Sequence, residues 1–127
     1  MKERLRPLAY PNTHAFLICF ALDGSDSLEN VTKRWMPEIL HFKDPTTPIL
    51  LVGCKKDIRD EGVDFYQRHV NTEQGTEVAE SIKARTYFEC SVMAGEGIRE
   101  IFHYASQVVR SFEPPQRRRE RNGCVIL

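Results

Sequence analysis

The sequence predicts an α/β fold: three parallel strands with flanking helices. Two observations carry this. Short apolar runs without polar alternation mark strands covered on both faces. Between them lie helix-length segments with a 3.6-residue apolar period, long enough for the crossovers that parallel strands require. At 127 residues the chain suits one small domain. A domain of this size buries only about two-thirds of its unfolded surface, so any missing element is costly.

The first strand is Ala15-Phe-Leu-Ile-Cys-Phe-Ala-Leu22, the longest apolar run. It is far shorter than the roughly 20 residues of a membrane-spanning helix. The start, Met1-Lys2-Glu3-Arg4, is not followed by the apolar stretch of a signal peptide. After the turn-rich Asp23-Gly24-Ser25-Asp26, the pair Asp26 and Glu29 predicts a capping box. Leu28, Val31, Trp35 and Ile39 give that helix its apolar stripe. Pro37 falls inside it and predicts a distortion or a tighter last turn.

Asp44-Pro45-Thr46-Thr47-Pro48 ends the helix, and Ile49-Leu-Leu-Val52 is the second strand, closing at Gly53. Ile58 to Val70 is charged and weakly patterned, and reads as a loop with a short helical turn. Asn71 and Gln74 predict the cap of a helix that carries Val78, Ala79 and Ile82 on one face. Thr86 to Cys90 is the third strand. The last helix starts near Gly97, with Ile98, Ile101, Phe102, Ala105, Val108, Val109 and Phe112 in period, and Pro114-Pro115 stops it. This divides the chain into a body, residues 1–113, and a polar, basic, disordered tail, residues 114–127.

Hydrophobic content of 41% and charged content of 28% are ordinary for a globular protein. The zero net charge is unevenly placed. Arg117, Arg118, Arg119 and Arg121 stand against the single acid Glu120 in the tail, which carries +3 and leaves −3 on the rest. A basic tail on an acidic body points to an anionic membrane leaflet. Nucleic acid is disfavoured, because no binding module accompanies the tail. None of the four cysteines is paired at metal-ligand or redox spacing. Cys19 and Cys90 read as reduced packing residues of an intracellular protein. The histidines, His14, His41, His69 and His103, read as surface or edge residues without a catalytic partner.

In parallel sheets, ligands bind at the carboxyl ends of the strands. The second strand ends in Gly53-Cys54-Lys55-Lys56-Asp57 and the third in Glu89-Cys90-Ser91-Val92-Met93. Lys55-Lys56-Asp57 alone would read as a solvated loop. The two segments, in this order, resemble the guanine-recognition motifs of small GTPases: Asn or Thr, Lys, any residue, Asp, then Ser-Ala-Lys. Arg4-Leu-Arg-Pro-Leu-Ala-Tyr-Pro11 is similar to the distal switch II region of the Rho family. Ser27-Leu-Glu-Asn30 and Trp35-Met-Pro-Glu38 are similar to its next helix. The resemblance runs from about Arg4 to the C-terminus and is weaker from Gly62 to Val70, where Rho proteins usually carry a longer, helical insert.

The resemblance implies a partial small-GTPase fold of the P-loop NTPase type, N-terminally truncated. It implies that Asp57 accepts hydrogen bonds from the guanine ring N–H and amine, with the stem of Lys55 along the base. Ser91 would support the loop, and the Val92 N–H would face the guanine carbonyl. Cys54 stands where the family has Asn or Thr, and Met93 where it has Lys. GTP or GDP is the implied ligand, with Mg²⁺ in the intact family. The Gly-rich loop ending in Gly-Lys-Ser/Thr, the switch I threonine and the Asp-x-x-Gly-Gln segment are not in the sequence, so the Mg²⁺ ligands are absent, no catalytic residue is assigned and hydrolysis is expected at background level. The first strand is expected to expose a long apolar edge, with marginal stability as the result.

Cys124-Val125-Ile126-Leu127 fits the C-a-a-X lipidation rule, its terminal Leu favouring geranylgeranylation. A prenyl chain and the four arginines make a two-signal anchor. The expected location is the cytoplasmic face of the cell membrane, with a cytosolic pool. Exchange factors, a dissociation inhibitor and effectors are the implied partners, with Arg4, Leu5, Arg6, Leu8 and Tyr10 as partner surface. The reading is a Rho-type, membrane-anchored signalling switch. The alternative is a catalytically inactive, lipid-anchored interaction or decoy protein, or a truncated product that does not bind GTP.

Overall fold

The computed structural model describes residues 13–42, 46–62, 64, 67–112 and 123–126. Arg4 to Pro11 and Arg117 to Arg121 lie outside them.

The three expected strands are present: β1 (Thr13–Ala21), β2 (Ile49–Cys54) and β3 (Thr86–Glu89). All pair in parallel, Phe16 with Ile49 through Ala21 with Cys54, and Leu50 with Thr86 through Gly53 with Glu89. Alternate residues serve two cores. Phe16, Ile18, Phe20, Leu22, Ile49 and Leu51 face one, and Ala15, Leu17, Leu50 and Val52 the other. With both faces covered there is no solvent side on which polar residues would alternate, and this is why the strands read as continuous apolar runs.

The first core is closed by α1 (Ser25–Asn30), α2 (Met36–Phe42) and α4 (Thr72–Ser81), through Leu28, Met36, Ile39 and Ala79. Between α1 and α2 the helix widens over Val31–Trp35, where the Met36 N–H reaches back five residues to the Val31 carbonyl. Pro37 has no N–H, and its ring crowds the carbonyl four residues earlier. The wider turn absorbs that conflict, a loosening where a tighter turn was one of the expectations. The expected Asp26 cap is also corrected. Gly24 holds the N-cap position without a side-chain bond. The turn is held by Ser27 instead, which accepts from Ala21 N at 2.8 Å and donates to Gly24 O at 2.6 Å. The Asn71–Gln74 capping box is formed, with bonds of 2.8 and 2.9 Å.

The second core lies under α5 (Ile98–Phe112), which buries Ile101, Ala105 and Val108. Phe102, expected on the same stripe, is exposed. His14 corrects the surface reading of the histidines: it is buried within β1. The weakly patterned stretch after β2 opens with a helix, α3 (Lys56–Glu61).

A further strand, β4 (Gly123–Ile126), was not expected. It lies parallel to β1, pairing Ala15 with Cys124 and Leu17 with Ile126, and gives the order β3-β2-β1-β4. The first half of the β1 edge, Thr13 to Leu17, is therefore lined by the chain's own C-terminal segment, expected to be disordered, while Ile18 to Ala21 extend past the described residues of β4.

Candidate functional site

Two loops meet at the carboxyl end of the sheet. The backbone joins them first: Cys90 N donates to Gly53 O at 2.8 Å, and Lys56 N to Cys90 O at 3.0 Å. Between these contacts the chain must turn out of β2 and into α3 within one residue. Lys55 makes the turn with φ 64° and ψ 38°, a left-handed conformation that L-residues other than glycine, Asn and Asp seldom adopt. Its side chain is left exposed, and Asp57 falls in the first turn of α3.

The side-chain bridge follows from that placement. Ser91, fully buried, donates through Oγ to Asp57 Oδ1 at 2.8 Å and accepts from Ala94 N at 3.1 Å. Two residues 34 apart in sequence are thereby fixed side by side. A carboxylate has about four lone-pair sites, so one bond from Ser91 leaves acceptor capacity for further N–H donors. Val92 and Met93 project at the rim, 73% and 88% exposed.

The loop carrying Ser91 is closed by a pair of 2.9 Å backbone bonds between Ser91 and Glu96. Gly97 then turns back at φ 83°, where an added Cβ would lie 2.7 Å from Glu89 O. Lys56 ties the loops together from outside, reaching Glu96 at 2.9 Å and Asp60 at 3.3 Å.

Beneath the loops lies a network that sequence reasoning missed. Arg59 meets Glu89 with two parallel bonds of 2.9 Å and also donates to Val70 O at 3.1 Å. Tyr87 Oη and Thr72 Oγ1 donate to the same carboxylate at 2.7 and 3.0 Å. Gly75 of α4 makes room for the Tyr87 ring, which occupies the space its Cβ would take. Burial alone would raise the Glu89 carboxyl, but the bonds from Arg59, Tyr87 and Thr72 outweigh it and hold it below the ordinary range. Bonding to Glu89 raises Arg59 further above its already high value. The charged run 58–61 carried no periodic signal for this, because the partner lies in another strand.

Of the expected site residues, the structure brings Lys55, Asp57, Ser91 and Val92 together at the carboxyl end of the sheet, while the Cys54 side chain packs against the core under α5. Cys124 takes part elsewhere, in the β4 ladder. The concavity lined by Met36, Leu40, Pro48 and Ile49, about 350 Å³, lies at the opposite end of β2 and holds none of these residues.

Residues 2–111 match the model of the Ras family. The chain is 41% identical over 131 aligned positions to the GTP-binding protein RHO1 of Candida albicans, covering 98% of this chain and 65% of that protein. It is also 41% identical over 136 positions to the GTP-binding protein rho1 of Schizosaccharomyces pombe, covering 98% of this chain and 67% of that protein. The chain thus spans about two-thirds of the length of these relatives. Both alignments are longer than the chain itself, so the relatives carry residues that it does not.

Proposed function

The chain belongs to the Ras family as a Rho-type small GTPase, and on that premise we propose that the rim formed by Lys55, Asp57, Ser91 and Val92 is the base-reading half of a GTP/GDP site. One observation carries the reading: the 2.8 Å bond that holds the Asp57 carboxylate beside the loop after β3. Guanine presents a ring N–H and an exocyclic amine side by side. A fixed carboxylate accepts both, whereas adenine offers no such donor pair. Lys55, thrown outward by its left-handed backbone, has the reach to lay its methylenes along the base. The Val92 N–H is the donor for the guanine carbonyl. Because this contact comes from the backbone, a valine serves as well as an alanine.

The 127 residues contain no Gly-x-x-x-x-Gly-Lys-Ser/Thr segment. Base contacts therefore dominate binding by this chain, and affinity is modest. Phosphoryl transfer relies on groups that cradle the phosphates and orient water, so turnover by this chain is at background. Titration of the purified 127-residue chain with fluorescent GDP, GTP and ATP tests the proposal. Saturable guanine binding that ATP does not compete supports it. Equal binding of ATP, or none of either, refutes it.

Attachment to an anionic membrane is part of the same reading. Cys124 supplies the lipid site, and Arg117, Arg118, Arg119 and Arg121 each add about 1 kcal/mol near an anionic surface. No helix among the described residues is long and apolar enough to cross a membrane. Exchange factors, a dissociation inhibitor and effectors are the proposed partners, meeting the segment Arg4 to Tyr10. Replacing Cys124 by Ser releases the protein from the membrane fraction; unchanged fractionation would count against the anchor.

A further inference from the structure

β4 is built from residues that have a second proposed use. Cys124, Val125 and Ile126 belong to the lipidation signal, and all three lie in the strand. Each is in register with β1: Cys124 opposite Ala15, Val125 opposite Phe16 and Ile126 opposite Leu17. The backbone of β1 divides its bonds between its two sides. Phe16 N donates to Pro48 O at 3.0 Å and Leu22 N to Cys54 O at 2.8 Å, so these residues bond toward β2. Ala15 and Leu17, in alternation with Phe16, direct their N–H and C=O groups to the β4 side. Further along the same edge, Ala21 N is satisfied by Ser27 Oγ at 2.8 Å. Backbone groups of a packed sheet need partners, and β4 supplies them for Ala15 and Leu17.

We propose that β4 is a latch over the lipidation signal: Gly123 to Ile126 serve either as the edge strand of the sheet or as the acceptor of a prenyl group, not both at once. The inference rests on the lipid anchor proposed above. In the transfer, the Cys124 sulfur attacks the first carbon of an isoprenoid diphosphate. The C–S bond forms, the C–O bond breaks, diphosphate leaves and the thiol proton passes to water. An enzyme that selects the C-a-a-X pattern must hold Val125, Ile126 and the terminal residue in its own pocket. A segment laid along β1, about 4.8 Å away, cannot enter that pocket without leaving the sheet. The product is kept out of the ladder for a second reason. The lipid belongs in the hydrocarbon layer, whereas Ala15, opposite Cys124, is fully buried in the core under α5. Anchoring therefore draws the terminus away from β1 and bares the N–H and C=O groups of Ala15 and Leu17.

The coupling runs both ways. A docked β4 slows modification, and a modified Cys124 disfavours docking. Four residues make a ladder that a lipid chain can outweigh, because each ladder bond only exchanges water for protein while every buried methylene adds to the anchor.

The test follows prenyl transfer to the purified 127-residue chain and to a peptide of residues 116–127, using a protein geranylgeranyltransferase and geranylgeranyl diphosphate. Both carry the same signal, and only the chain has β1 to dock on. The peptide should be modified at least about tenfold faster, the chain being slowed by the fraction of time its terminus is docked. Residue-resolved amide exchange then compares the modified chain, in lipid nanodiscs, with the unmodified chain. Exchange at Ala15 and Leu17 should accelerate at least about tenfold while Phe16, bonded toward β2, keeps its protection. Loss of protection at all three residues would mean general unfolding and overturn the latch. Equal transfer rates for chain and peptide overturn it and leave the anchor standing, as does unchanged protection of Ala15 and Leu17 in the modified chain. A peptide that is not modified overturns the anchor, and the latch with it.

Discussion

Ser91 and Asp57, 34 residues apart in sequence, are joined by a 2.8 Å hydrogen bond from the loop after β3 to the first turn of α3. A buried hydroxyl holding a half-exposed carboxylate fixes the carboxylate's direction before any ligand arrives. Replacing Ser91 by Ala removes that restraint and leaves a small void. A hydrogen bond to a charged group contributes about 1.5–3 kcal/mol, so guanine affinity should fall roughly 10- to 100-fold. Fluorescent-GDP titration, with circular dichroism to check folding, is the measurement. Undiminished affinity would show that Ser91 does not position Asp57.

Asp57→Asn should change which base is read. An amide offers one acceptor and one donor where the carboxylate accepts twice. Xanthine, with a carbonyl in place of the guanine amine, matches that pattern. The variant should lose guanine affinity by about tenfold or more, consistent with roughly 1–3 kcal/mol for an unmatched polar pair, and gain on xanthosine nucleotides. Competition between the two diphosphates decides it.

Lys55 holds a left-handed backbone that costs an L-residue roughly 1–2 kcal/mol. Lys55→Gly relieves this strain but adds freedom to the unfolded chain, so stability should rise by only about 0.5–1 kcal/mol. Nucleotide affinity should fall in the same protein, because the covering side chain is gone. A raised melting temperature without weakened binding would separate the turn from the site.

The network around Glu89 makes stability depend on acid. Its carboxyl is held below the ordinary 4.5 in the folded state, so the unfolded chain binds the proton more readily. The contribution is complete above about 4.5 and is lost as pH falls through the lowered folded value. Glu89→Gln removes this acid dependence and leaves Arg59 only Asp60, 2.9 Å away, as a charge partner, at a cost of about 1.5–3 kcal/mol near neutrality, the range for hydrogen bonds to charged groups. Thermal melts of both proteins across the acid range should converge as pH falls, and parallel curves would contradict the assignment.

Deleting residues 123–127 should open the β1 edge. Exposed edge strands recruit other chains, so the shortened protein should self-associate at concentrations where the full chain stays monodisperse in sedimentation velocity. Cys124→Ser keeps the strand and removes the lipid site, and should behave as the full chain.

What the sequence disclosed followed from short-range physics. β1 to β3 were legible because apolar runs report burial on both faces, and the α4 cap because Asn71 and Gln74 are three residues apart. The Asp57–Ser91 pairing was legible only by resemblance, since no spacing rule joins residues 34 apart. Arg59–Glu89 stayed hidden because a charge that finds its partner through the fold looks the same in sequence as a solvated one. β4 stayed hidden for a related reason. Four residues behind a basic stretch carry too little pattern to announce a strand, and their neighbour in the sheet lies near the other end of the sequence.

That distance has a kinetic meaning. The ladder joining Ala15 to Cys124 closes a loop containing almost the whole chain, at an entropic cost on the order of 4 kcal/mol before any stiffness is counted. Contacts separated this far form late and slowly. The three inner strands can assemble from nearer neighbours while β4 is still searching. The terminus is then the last piece to dock and the first to let go, so its detachment need not wait for the rest of the molecule to unfold.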